Sequence, residues 1–199
     1  MSNAKLIVVL TIILIGVGAY FLFFSENEFD SKNAELNSIW LEQGIDIENI
    51  DFDEGSEIIG LQPFQVEELK NKLASKKSSL GSSDSSNALK KLIDIQVNNL
   101  EVVEKLRQFY SDSLSIDFSE TDYASFCGEA RNDYSEVVNE AESLVQLINE
   151  NNSLIKSFNS NYLKEFGVSA RNLDFDVSGL ENELERLKEV GEDFDELCA

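Results

Sequence analysis

The sequence predicts an all-α protein: a single N-terminal transmembrane helix followed by an elongated, coiled-coil-like helical bundle. Three observations carry that expectation. Leu6 to Phe24 (LIVVLTIILIGVGAYFLFF) runs for nineteen residues without a charge, an amide or a proline. From Tyr123 to Tyr162 apolar residues recur at alternating spacings of four and three without a slip. One proline and ten glycines in 199 residues suit long helices better than a turn-rich β-sandwich.

At about 1.5 Å rise per residue the apolar run spans about 28 Å, the thickness of a bilayer's hydrocarbon. A cleaved signal peptide would have a shorter apolar stretch and a small-x-small site. The only such site, Val17-Gly18-Ala19, would leave an exposed Tyr-Phe-Leu-Phe-Phe terminus. A buried core helix would need apolar neighbours on all sides, and no other segment supplies them. The run therefore reads as an uncleaved anchor. Lys5 and the α-amino group precede it, whereas Glu26, Glu28 and Asp30 follow. The cation bias keeps the amino terminus cytoplasmic and places the rest outside the cell membrane. The expected organisation is a short tail (1–5), an anchor (6–24), membrane-proximal short helices with a serine-rich linker (25–86), and an antiparallel bundle (87–199).

Beyond the anchor, Asp30 or Ser31 can cap a short helix carrying Leu36, Ile39 and Trp40, with Gly44 as its stop. Trp40 on that stripe reads as helix packing rather than as a membrane-interface anchor. Ile45 to Gly60 alternates Ile and Phe with acids and looks like a linker or edge strand. Pro63 sits where a first-turn proline belongs, opening a helix with Phe64, Leu69 and Leu73. It is expected to fade in Ser75 to Ser86, where seven of twelve residues are serine. The next helix, about 87–113, carries two adjacent seams, one through Leu89, Ile93, Gln96 and Leu100, the other through Leu92, Ile95, Asn99 and Val102. A stripe that wide faces more than one neighbour.

The heptad series Tyr123, Cys127, Ala130, Tyr134, Val137, Ala141, Leu144, Ile148, Asn151, Ile155, Phe158 and Tyr162 predicts one long helix, about 122–166, ended by Gly167. Its polar member, Asn151, marks a bend or a register-setting contact. Ser178 to Glu181 resembles a capping box for a last helix with Leu180, Leu184, Leu187, Gly191 and Cys198 on its seam.

The residues after Phe24 carry 15 Lys and Arg against 38 Asp and Glu, a balance of 15 − 38 = −23. Such a field repels nucleic-acid phosphates and anionic headgroups and favours counter-ions or a basic protein patch. There is no histidine, which excludes Ser-His-Asp and Cys-His catalysis. Asp174-x-Asp176-x-Ser178-Gly179, followed after five residues by Glu185, fits a calcium-loop template. Val177 and Glu181 stand at the wrong positions, no sister loop exists, and Ser178 with Glu181 is better read as a helix cap. Asp51-Phe-Asp53-Glu-Gly55 is a poorer match. Asn151-Asn-Ser153 is the one glycosylation sequon, in a patch read first as structural. No catalytic residue, metal site or cofactor is expected.

Cys127 and Cys198 match no metal or redox spacing, and an extracytoplasmic pair suits a disulfide. A straight hairpin at Gly167 would leave Cys198 near residue 146, too far for the ~7 Å a bridge allows between Cα atoms. If residues 167–177 instead lie extended along the bundle, as the Leu173-Asp-Phe-Asp-Val177 alternation suggests, the last helix ends beside Cys127. The expected function is that of a structural scaffold or protein-interaction module, integral to the membrane by a single pass, with an unidentified protein partner and self-association allowed. The alternative is a ligand-sensing bundle working with a membrane partner.

Overall fold

A computed structural model describes residues 29–49, 60–115, 126–170 and 173–198. Among these residues every regular element is helical. α1 covers 29–41, α2 Pro63–Ser79, α3 Asp84–Ser115, α4 Arg131–Phe166 and α5 Ser178–Leu197, and a π-turn, Phe126–Ala130, leads into α4. No helix among the described residues is long and apolar enough to cross a membrane. The expected anchor, 6–24, lies outside them.

Local chemistry sets the helix ends. Gly44 adopts φ 81°, and its N–H and that of Ile45 donate to the carbonyls of Leu41 and Trp40, the left-handed closure that glycine permits. α2 opens on Pro63, with Gln65 Oε1 accepting from the Gln62 N–H. The expected fade at Ser75 does not occur, and α2 runs to Ser79. Lys76 and Lys77 fill its last turn, where cations suit the helix dipole, and they pair with Glu35 of α1 and Asp94 of α3. Leu80 is buried, and Ser83 Oγ accepts from the Ser86 N–H to cap α3. The serine-rich stretch is thus a helix end and a cap, and α3 starts at Asp84, three residues earlier than expected. In the expected linker, 45–49 forms turns that bury Ile45 and Ile47; 50–59 lies outside the described residues.

Cross-helix pairs fix the topology. Lys70–Glu104 and Lys77–Asp94 run α2 antiparallel to α3. Lys105–Ser143 and Gln108–Glu140 run α3 antiparallel to α4. Lys188–Glu142 and Asn149–Glu181 run α5 antiparallel to α4. α4, at 36 residues and about 54 Å, is the spine. Its heptad residues from Ala130 to Phe158 are all buried. Phe29, Leu36, Trp40, Leu69 and Leu73 share one core with Leu89, Ile93, Leu100, Leu144 and Ile155. α1 and α2 thus contribute to the same core as α3 and α4. The start of the expected long helix, 122–125, lies outside the described residues.

Candidate interaction surface

α5 is the most acidic helix among the described residues. Residues 178–197 hold eight acids and two cations, a balance of 2 − 8 = −6. Its apolar positions at i, i+4 and i+7 (Leu180, Leu184 and Leu187) turn inward and pack, half-buried, against the core. The same period turns Glu181, Glu185, Glu189, Glu192, Asp193 and Glu196 outward, all exposed. The two cations are engaged within the chain, Arg186 with Glu183 at 2.8 Å and Lys188 with Glu142 at 2.6 Å.

Three devices hold this ridge. At its far end Cys127 and Cys198 are joined by a disulfide, with Cα atoms 5.5 Å apart. Midway, the Tyr134 hydroxyl donates to the Leu187 carbonyl at 2.6 Å, and the ring lies 3.5 Å from where a Cβ on Gly191 would stand. Burial pushes the Tyr134 phenol up from its ordinary value, so it stays a donor at neutral pH. At its near end a strap, described at 167–170 and 173–177, leads from α4 to α5. Gly167, at φ 70°, closes α4 by donating to the Leu163 carbonyl.

The strap buries Ala170, Leu173 and Phe175 and hands its backbone to asparagines. Asn159 Oδ1 accepts from the Ala170 N–H at 2.8 Å. Asn99 Nδ2 donates to the Leu173 carbonyl at 3.1 Å. Asn152 both donates to the Phe175 carbonyl (2.8 Å) and accepts from its N–H (3.2 Å). Irregular backbone can lie against a core only if its polar groups are paired, and these side chains do the pairing. Asn151, 0% exposed, donates from Nδ2 to Asn99 Oδ1. It is a buried polar contact between α3 and α4, at the position where the sequence suggests a bend or a register-setting contact. Asn151 is the sequon's acceptor, and in the folded chain it is sealed inside the bundle.

The calcium-loop residues do other work. Asp176 Oδ1 accepts from the N–H (2.9 Å) and hydroxyl (2.7 Å) of Ser178, which holds its carboxyl below the usual range and starts α5 as an Asx turn. The expected capping role of Ser178 and Glu181 falls to Asp176, and Glu181 Oε1 instead lies 3.5 Å from Asn149 Nδ2. Asp51 and Asp53 lie outside the described residues. Trp40 is fully buried, its indole N–H donating to Gln96 Oε1 at 3.0 Å. Gln96 and Asn99 lie on the apolar seams of α3, where the sequence names no partner for either. Their polarity inside a stripe was the signal, and only the fold supplied Trp40, Asn151 and Leu173. No family model, curated protein or solved structure matches the chain.

Proposed function

We propose that the chain is a single-pass, membrane-anchored protein whose helical domain stands outside the cell membrane as a scaffold or protein-interaction module, with α5 as its docking ridge for a basic protein surface. The observation that carries this reading is the pairing of the most acidic helix with its covalent fastening at Cys198. A surface fixed in advance loses less conformational freedom on binding, and one of a single sign steers a partner of opposite charge. The anchor rests on the nineteen-residue apolar run, and the orientation on Lys5.

Cross-linking followed by affinity capture of the full chain from its own membranes tests the docking ridge. The captured basic protein should be lost in Glu185→Lys/Glu189→Lys/Glu192→Lys and weakened by salt. Capture unchanged by that triple substitution would move the interface elsewhere. Protease added to intact cells should digest the domain and spare the anchor. Protection until the membrane is breached would reverse the orientation.

A further inference from the structure

A cleft of about 240 Å³ lies between α1, the turn at 45–49, α3 and the strap, well away from α5. Gln96, 2% exposed, forms part of its wall. Its Oε1 is taken by the Trp40 indole, while its Nε2 has no hydrogen-bond partner among the described residues. Asn33 stands on the α1 side of the same cleft, and its Oδ1 is buried with no partner there. The Gln96 Nε2 donor therefore opens on the cleft without a partner in the fold, while the Asn33 oxygen is closed off inside the wall beside it. Asn37, whose amide donates to Glu48, and Ser169 add further groups able to donate or accept. Leu92 and Val168 supply an apolar wall.

We propose that this cleft binds a small neutral polyhydroxylated molecule of monosaccharide size. Each hydroxyl both donates and accepts, which matches a wall of amides and a hydroxyl, and the ring's C–H face suits the aliphatic side. Its lining includes no Lys or Arg and one carboxylate, Glu48, so an anionic ligand would meet repulsion without compensation. The cleft joins α1, the helix nearest the expected anchor, to the strap that leads to α5, so occupancy would tie these elements together. This site stands independently of the α5 ridge.

Trp40 is the only tryptophan, and its hydrogen bond to Gln96 makes it a built-in reporter. The full chain, held in a detergent without a sugar headgroup, is titrated with glucose, N-acetylglucosamine, myo-inositol and glucuronate. Calorimetry and Trp40 emission are both followed. At least one neutral probe should bind saturably with a Kd at or below about 1 mM and shift the emission, and glucuronate should bind at least about tenfold more weakly. Asn37→Leu, which removes an amide from the lining and leaves Trp40 and Gln96 intact, should weaken binding about tenfold or more without loss of fold. Gln96→Leu should do the same where it folds. Absence of saturation by every neutral probe up to about 20 mM, affinity unchanged in Asn37→Leu, or equal affinity for glucuronate would each overturn the proposal.

Discussion

Where α1 and α2 lie against α3 and α4, the side chains of Phe29, Leu36, Trp40, Leu69, Leu73 and Leu100 are at most 1% exposed. Along α5 no described side chain reaches full burial, and Leu180, Leu184 and Leu187 are only partly covered. The first region is a four-helix core held by apolar area. The second is a helix lying on one face of its neighbours, and it is there that the chain places its disulfide, a tyrosine strut and three strap-holding asparagines. A helix without enough neighbours to surround it needs fastening of another kind, either covalent or by hydrogen bonds to otherwise unpaired backbone.

The largest expected effect is in the core. Trp40→Ala opens a cavity and strands Gln96 Oε1, and should cost about 3–5 kcal/mol in denaturant unfolding of the full chain. A loss below about 1 kcal/mol would mean that α1 is dispensable to the core and would erase the contrast. Next comes the double substitution Cys127→Ser/Cys198→Ser, at about 2–5 kcal/mol. Hydrogen exchange should locate that loss in α5 and the strap, with α2 and α3 still protected. Equal loss of protection in α2 would show the two regions to be one cooperative unit.

Asn151→Ala should cost about 1–3 kcal/mol, because it leaves Asn99 Oδ1 buried without its donor. A smaller cost would indicate that the pair sets register without adding stability. The smallest effect concerns Glu140, between α3 and α4. Burial, then the neighbouring charges of Asp112 and Glu136, raise its carboxyl above the ordinary 4.5. A raised acid disfavours the folded state once ionised. The penalty is fully present above the folded pKa and disappears as pH falls towards 4.5. Glu140→Gln should therefore raise the melting temperature slightly at pH 7, by less than about 1 kcal/mol in equivalent stability, and leave it unchanged near pH 4. A lower melting temperature at pH 7 would show that the Gln108 hydrogen bond to Glu140 outweighs the repulsion.

Much of the architecture was legible because it is written locally. The unbroken heptad of α4 carries its buried face residue by residue, Gly44 and Gly167 mark helix ends that need positive φ, and the Leu173–Val177 alternation signalled a strap with one edge inward. The same helical rise brings Cys198 to Cys127 once the strap lies extended. The serine-rich turn misled because composition does not distinguish a tether from a cap; Ser83 acts through one hydrogen bond to Ser86, and the lysines before it find acids on other helices. Trp40 with Gln96, 56 positions apart, and Asn99 with Leu173, 74 apart, are pairings that no local pattern encodes. The cleft is invisible for the same reason, since Asn33, Gln96 and Ser169 meet only through tertiary packing.

The Cys127–Cys198 bridge also decides how the molecule bears a load. Its partners are 71 positions apart. A pull that reaches Cys198 from its carboxyl side crosses the sulfur bond and enters the backbone at Cys127, so the contour of α4, the strap and α5 is left out of the covalent line of tension. With the bridge intact that length cannot be paid out. Once it is reduced, about 250 Å of extended chain is released at roughly 3.5 Å per residue, a tether many times longer than the bundle end it came from.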